Sequence, residues 1–145
     1  MKFVLEHGSG DELHNPTVED IASAMEIAKD ETEASDIQLK YRTDCHEHTE
    51  LWIICVFVGP TPGTPMWCVR LCRRGAKTSH YLALNGTTGQ DTVTAFMCGC
   101  EERMDASCVL AEKQVIVVAS MFLKNGDITA SGTWVDGATC FPSSV

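Results

Sequence analysis

ELWIICVFVG, residues 50–59, is the stretch around which the rest of the fold must be built, because it is apolar at every position from Leu51 to Val58. Successive side chains of a strand point to opposite faces, so a strand of this composition has two apolar faces. Strands that are buried on both sides have this pattern. The stretch therefore predicts a central strand of a sheet.

Shorter strand-like segments lie on both sides of this one. FVLEH (3–7) and IQLKYR (37–42) precede it, the second with a clear alternation of apolar and polar residues, and GPTPGTP connects it to MWCVRLCRR (66–74). SHYLALN (79–85) follows, with Asn85 and Gly86 as a turn signal. VTAFMCGC (93–100) and TASGTWV (129–135) predict two more strands, and EERMDAS (101–107) a polar loop.

Two segments have helical spacing. In NPTVEDIASAMEIAK, apolar residues recur every three or four positions, Thr17 and Asp20 have capping-box spacing, and Pro16 suits a first turn, so we expect a helix over 16–29 with Asn15 or Thr17 as its cap. Residues 111–126 also predict a helix, ended by Asn125 and Gly126. The element order predicts a single α+β domain, a mainly antiparallel sheet with two helices packed on one face.

Length and composition agree with one domain, which we place at residues 1–136, followed by a C-terminal tail, 137–145. No apolar run approaches the roughly 20 residues that cross a bilayer, and MKFVLEHGSGDE lacks the pattern of a signal peptide. We therefore expect a cytoplasmic protein without a membrane partner. The eight cysteines are then expected to be reduced thiols.

The charge is unevenly distributed. Residues 1–50 hold 13 acidic and 4 basic residues, a net of −9, whereas residues 51–145 hold 7 of each. Proteins that bind nucleic acid directly present a basic face, so that class is disfavoured. Two interpretations remain open: a solvated surface that confers solubility, or a surface that attracts a basic protein.

Cysteine and histidine suggest a different class of function. A Cys/His metal-binding or redox domain would use Cys45, His46 and His48 of CHEH together with Cys98 and Cys100. Cys68 and Cys72 fall inside a predicted strand, where thiols behave as small hydrophobic residues. A small cysteine enzyme is a third, weaker possibility, because the chain has no nucleophile elbow, P-loop or dinucleotide-binding motif. We predict no enzyme activity and no cofactor.

The arrangement of these segments is similar to the first-numbered family of immunity proteins of bacterial polymorphic toxin systems. That family includes the immunity partner of a double-strand-DNA cytidine deaminase toxin. The resemblance covers about residues 1–136 and rests on two features: the helix start Asn15-Pro16-Thr17 with Glu19-Asp20-Ile21, and a late helix bearing Glu112 and Phe122 before a strand with Trp134. The cysteine content and the long GPTPGTP connection depart from the family pattern.

The resemblance implies a cytosolic, non-catalytic protein that binds the C-terminal domain of a cognate toxin as a 1:1 complex. Many such toxins attack nucleic acid and carry a basic groove, which an acidic surface can occupy. We expect no direct contact with nucleic acid. Trp52, Trp67 and Trp134 are expected in the core. The expected partner-facing residues are the acids outside the apolar stripe of the first helix and those of the loops: Glu19, Asp20, Glu26, Asp30, Glu31, Glu33, Asp44, Glu47, Glu50, Asp91, Glu101, Glu102 and Asp105.

Overall fold

The structure is a computed structural model that describes residues 2–7, 11–30, 36–42, 48–59, 63–74, 79–86, 91–97, 100–126 and 134–136. In chain order its elements are β1 (Lys2–His7), β2 (Asp11–His14), α1 (Val18–Asp30), β3 (Asp36–Arg42), β4 (His48–Val58), β5 (Thr64–Arg74), β6 (Ser79–Ala83), β7 (Thr92–Met97), β8 (Cys100–Asp105), the 3-10 turn Ala106–Cys108, α2 (Glu112–Asn125) and β9 (Trp134–Asp136). The domain is α+β, with a mainly antiparallel sheet and two helices.

β4 is the central strand, as its sequence predicted. The described strands form one sheet in the order β2-β1-β3-β4-β5-β6-β9. β4 pairs with β5 along its whole length, with β3 from His48 to Ile54, and with β7 from Val56 to Val58. β8 pairs only with β7 and so completes a hairpin attached to the C-terminal end of β4.

Two strand predictions need correction. The polar loop expected over 101–107 is wrong, because most of it is β8, whose only buried residue is Met104. β2 was not expected at all. Both segments are polar, and pairing with β7 or β1 makes them strands where their own composition would not. The predicted strand 129–135 is described only at residues 134–135, which belong to β9. The predicted tail 137–145 lies outside the described residues.

Both helices pack on the same face of the sheet. Alternate residues of the central strands point to this face, among them Leu39, Leu51, Ile53 and Val69. Met25 of α1 and Phe122 of α2 are fully buried against them. This is the layer arrangement that the sequence predicted, and it holds most of the apolar core.

A smaller apolar cluster lies on the opposite face of the sheet. It covers only the C-terminal half of β4, where Ile54 and Val56 meet Cys68 of β5. The β7–β8 hairpin contributes Ala95 and Met104 to this cluster, and the 3-10 turn adds Cys108. The second cluster therefore covers one end of β4 on the face opposite the helices and does not extend to Glu50 at the other end.

The helix ends follow the predicted chemistry with one adjustment. Thr17 and Asp20 form the expected reciprocal cap: the Thr17 N–H donates to the Asp20 carboxylate (2.8 Å), and the Asp20 N–H donates to Thr17 Oγ1 (3.3 Å). Thr17 is the cap, and Pro16 precedes it. At the end of α2, Gly126 has φ +67° and donates its N–H to the Phe122 carbonyl (2.7 Å), as expected of a left-handed cap.

Candidate functional site

Beyond the second cluster, most described side chains on this face of the sheet are polar, with the buried Val4 as an exception. We call this surface the polar face. The strand registers place Glu6, Gln38, Trp52 and Arg70 in one cross-strand row, and Lys40, Glu50, Cys72 and His80 in the next. Among the described residues, neither helix contributes to a buried apolar cluster on this face.

Glu50 is the centre of the polar face. Its side chain accepts hydrogen bonds from Trp52 Nε1 (2.8 Å) and Arg74 Nε (3.1 Å), and its Oε1 lies 3.0 Å from His48 Nε2. It is 6% exposed and is the one charged residue among the described residues that is buried. The expectation that Glu50 is a partner-facing loop acid is wrong, because it lies on β4 and its charge is neutralised within the fold.

The hydrogen bonds decide the ionisation of Glu50. Burial raises the pKa of a carboxyl, because the charged form loses hydration. The bonds from Trp52 and His48, together with the charge and hydrogen bond of Arg74, outweigh this effect, so the pKa of Glu50 is lowered from its usual value. Glu50 is consequently an ionised structural anchor at neutral pH.

Trp52 differs from the other two tryptophans. Trp67 is fully buried on the helix face, and Trp134 packs partly buried against the same cluster, as expected of core residues. Trp52 is half-buried on the polar face, where its indole N–H donates to Glu50. Its assignment to the core is wrong, because it lies on the face of β4 opposite α1 and α2 and belongs to neither buried apolar cluster of the described residues.

Two buried thiols, one on each face of the sheet, have raised pKa values. Cys72 is buried in β5 directly opposite Glu50, and burial raises its pKa. Burial also raises the pKa of Cys55, on the helix face, to about 11, although Lys29 acts in the opposite direction. A thiol nucleophile needs a lowered pKa, so neither residue has the chemistry of a catalytic cysteine.

The predicted acidic residues occupy separate surfaces. On α1, Glu19, Glu26 and Asp30 are exposed. Asp20 is half-exposed and caps the helix, and Glu26 is bound by Lys29 at 2.8 Å. The acids Glu31, Glu33, Asp44 and Glu47 lie outside the described residues.

The remaining acids lie on or beside the β7–β8 hairpin. Glu101 is exposed and Glu102 half-exposed on β8, and both line a shallow pocket with Thr94 and Arg103. Asp91 and Asp105 lie at the base of the same hairpin. The hairpin is attached to the end of β4 that is far from β1 and β2. The hairpin packs on the face of the sheet opposite α1, so its acids and those of α1 lie on different sides of the sheet.

The residues of the metal-binding alternative are not brought together where they can be located. His48 begins β4, whereas Cys100 faces Met97, which pairs with Val56 near the other end of that strand. Eight residues of extended chain span roughly 26 Å, too far for a shared ion. Cys45, His46 and Cys98 lie outside the described residues. In the described ranges, no three His, Cys, Asp or Glu side chains are grouped as metal ligands.

A groove between β2 and α1 was not expected from the sequence. Its volume is about 350 Å³, and it is lined mainly by Leu5, Leu13, Ala24 and Ile27, with Glu12, Asp20 and Ser23. Leu13 and Ile27 are 44% and 48% exposed. The alternation in DELH, with Leu13 between two polar residues, is a weak strand signal that could have indicated it.

Comparison with known proteins adds no further constraint on function: no protein-family model matches this chain, and no curated protein or solved structure is significantly similar to it. The resemblance to immunity proteins stays a prediction. Within the described residues, neither helix is long and apolar enough to cross a membrane.

Proposed function

We propose that this protein is an immunity protein that binds and neutralises the C-terminal domain of a cognate bacterial toxin in the cytoplasm. The observation that carries the proposal is the concentration of negative charge on α1. Glu19, Glu26 and Asp30 are exposed on this helix, and the first 50 residues hold the whole net charge of −9. A surface of this kind attracts a basic groove and accelerates association with it.

The polar face supports the same function in a different way. The Glu50 carboxylate on β4 is bound by Arg74 of β5 and by two neighbouring donors on β4. We therefore assign it a structural role and no reactive one. The raised pKa values of Cys55 and Cys72 likewise favour structural thiols. A hydrogen-bonded scaffold with a charged outer helix suits a protein that acts by binding.

The proposal is tested with the reading frame encoded immediately upstream. The C-terminal segment of about 150 residues, the typical length of one domain, is expressed with and without this protein. We expect the domain alone to be toxic, co-expression to restore growth, and the two proteins to form a 1:1 complex. A toxic domain that this protein neither binds nor neutralises would contradict the proposal.

The role of α1 is tested by charge reversal. The triple variant Glu19→Lys, Glu26→Lys, Asp30→Lys changes the net charge from −9 to −3. We expect at least a tenfold loss of affinity and a weaker salt dependence, because fewer charges face the partner. Asp20 is left unchanged because it caps the helix.

A second triple variant controls for net charge alone. Asp91→Lys, Glu101→Lys, Glu102→Lys makes the same change on the β7–β8 hairpin. If the acids of α1 face the toxin, this control keeps most of the affinity. Equal losses in both variants would mean that net charge acts without a specific surface.

A further inference from the structure

The outer edge of β2 presents backbone groups that are available for pairing. β2 is the first strand in the sheet order, and no described strand lies beyond it. The Asn15 N–H donates to the Phe3 carbonyl (2.9 Å), and hydrogen-bonded pairs alternate in an antiparallel ladder. Leu13 therefore bonds inward to Leu5, its register partner. The N–H and C=O groups of Glu12 and His14 point outward.

The groove beside this edge is apolar at its centre. Leu13 of β2 and Ile27 of α1 are about half exposed, although most large apolar side chains of the described fold are buried. Leu5 and Ala24 close the groove below them. A strand added to β2 would direct every second side chain toward the helix face of the sheet, where this groove lies.

The lining of the groove is acidic where it is charged. Asp20 contributes a carboxylate beside the groove, the Glu12 carboxylate lies 3.8 Å from His14 Nε2 on the opposite face of β2, and none of the residues that line the groove is lysine or arginine. The Asp20 carboxylate already accepts the cap bonds of Thr17 through Oδ2, which leaves Oδ1 for another donor. Charge complementarity therefore selects an occupant with basic side chains.

We infer that β2 and the adjacent groove bind an extended segment of the partner protein by strand addition, and that this segment combines apolar side chains with lysine or arginine. Its backbone pairs with Glu12 and His14, and its apolar side chains enter the groove against Leu13 and Ile27. A basic side chain beside the groove reaches Asp20, and a basic side chain on the opposite face of the added strand reaches Glu12. Strand addition to an exposed edge is a common mode of peptide recognition. The inference rests on the proposed function, since the segment belongs to the toxin domain.

The backbone contribution is tested at Glu12. Glu12→Pro removes the outward N–H but spares the inward bonds of Leu13, and proline is tolerated on edge strands. Glu12→Gln removes the charge and keeps the N–H. With the C-terminal domain of the upstream protein as the probe, we expect calorimetry to show at least a tenfold increase in Kd for Glu12→Pro and a smaller increase for Glu12→Gln.

The groove is tested at Ile27. Ile27→Lys places a cation where a basic segment should lie and removes an apolar contact, so we expect a Kd at least tenfold higher. Val117→Lys is the matched control, because Val117 is an exposed apolar residue of α2, 61% exposed, and does not line the groove. We expect its Kd to stay within twofold of the wild-type value.

Amide hydrogen exchange in the wild-type complex gives a readout that no variant can confound by misfolding. The amides of Glu12 and His14 should exchange at least a hundredfold more slowly in the complex than in the free protein. Unchanged exchange, or unchanged affinity of both Glu12→Pro and Ile27→Lys, overturns the inference while the complex itself still supports the proposed function.

Two other outcomes also overturn the inference. If the wild-type protein neither binds nor neutralises the domain, the proposed function fails and this docking mode fails with it. If the protein alone is a dimer in which the Glu12 and His14 amides are already protected, the occupant of the edge is a second copy of this chain.

Discussion

Replacing Glu50 with glutamine tests whether the ionised carboxylate stabilises the polar face. The carboxylate faces three groups, Trp52 Nε1, His48 Nε2 and Arg74 Nε. A glutamine amide has one acceptor oxygen and one nitrogen donor. If the oxygen keeps the bond to Trp52, the amide nitrogen opposes the Arg74 N–H.

The expected cost follows from that lost bond. A hydrogen bond to a charged group contributes roughly 1.5–3 kcal/mol, but exposed ion pairs contribute about 0–1 kcal/mol. The Arg74 side chain is 42% exposed and can turn to water, so the loss lies between these limits. We expect Glu50→Gln to lower the free energy of unfolding by about 1–2 kcal/mol at pH 7. Glu50→Ala, which removes every acceptor, should cost about 3 kcal/mol.

The pH dependence has a defined sign. The pKa of Glu50 is lowered by folding, so the ionised carboxylate stabilises the folded state above the pKa of the unfolded chain, and this contribution is lost as pH falls through the folded pKa. The difference between wild type and Glu50→Gln should be complete at pH 7 and should shrink below about pH 4.5, the usual value for the carboxyl.

Urea unfolding followed by tryptophan fluorescence measures both effects. Glu101→Gln, at an exposed acid, is the control and should change stability by less than about 0.5 kcal/mol. A Glu50→Gln variant within about 0.3 kcal/mol of wild type at pH 7, a threshold near the measurement precision, would refute the stabilising role of the charge. So would a difference that grows as the pH falls.

Three further predictions concern the scaffold. Gly126→Ala should lower the free energy of unfolding by about 2–3 kcal/mol, because the added Cβ would lie 2.7 Å from the ring of Tyr41 and the backbone has a positive φ. Gly86→Ala, at φ +91° but with open space around the added Cβ, should cost only about 1 kcal/mol. Urea unfolding measures both values, and equal losses would contradict the clash at Gly126. The Asn85 side-chain amide donates to two backbone carbonyls, at 2.9 and 2.8 Å. Asn85→Ala should therefore lower the free energy of unfolding by about 2 kcal/mol, and Asn85→Asp should lower it more, because a carboxylate would repel both carbonyls. Thermal melts rank the two variants, and an Asp variant more stable than the Ala variant would contradict the prediction. Iodoacetamide should label the exposed Cys100 at least a hundredfold faster than Cys72, as mapped by mass spectrometry, and rapid labelling of Cys72 would contradict its protected, protonated state.

The sequence by itself determined the elements whose signals are local. The apolar run of β4 is stable only where both of its faces are buried, and β4 lies at the centre of the sheet. Thr17, Asp20 and Gly126 act on backbone groups within a few residues of themselves, so the helix ends could be identified before any partner was known. Helical spacing likewise indicated which side of α1 and α2 packs against the sheet.

Only the tertiary structure decided the strands and contacts that depend on distant partners. β2 and β8 have little apolar character of their own and become strands through pairing with β1 and β7. A glutamate is usually a surface residue, but Glu50 is buried because Arg74, 24 residues away, and the neighbouring donors form hydrogen bonds with its carboxylate. The groove beside Leu13 exists because β2 folds against α1. Such features depend on which segments meet, and residue patterns within one segment do not encode that information.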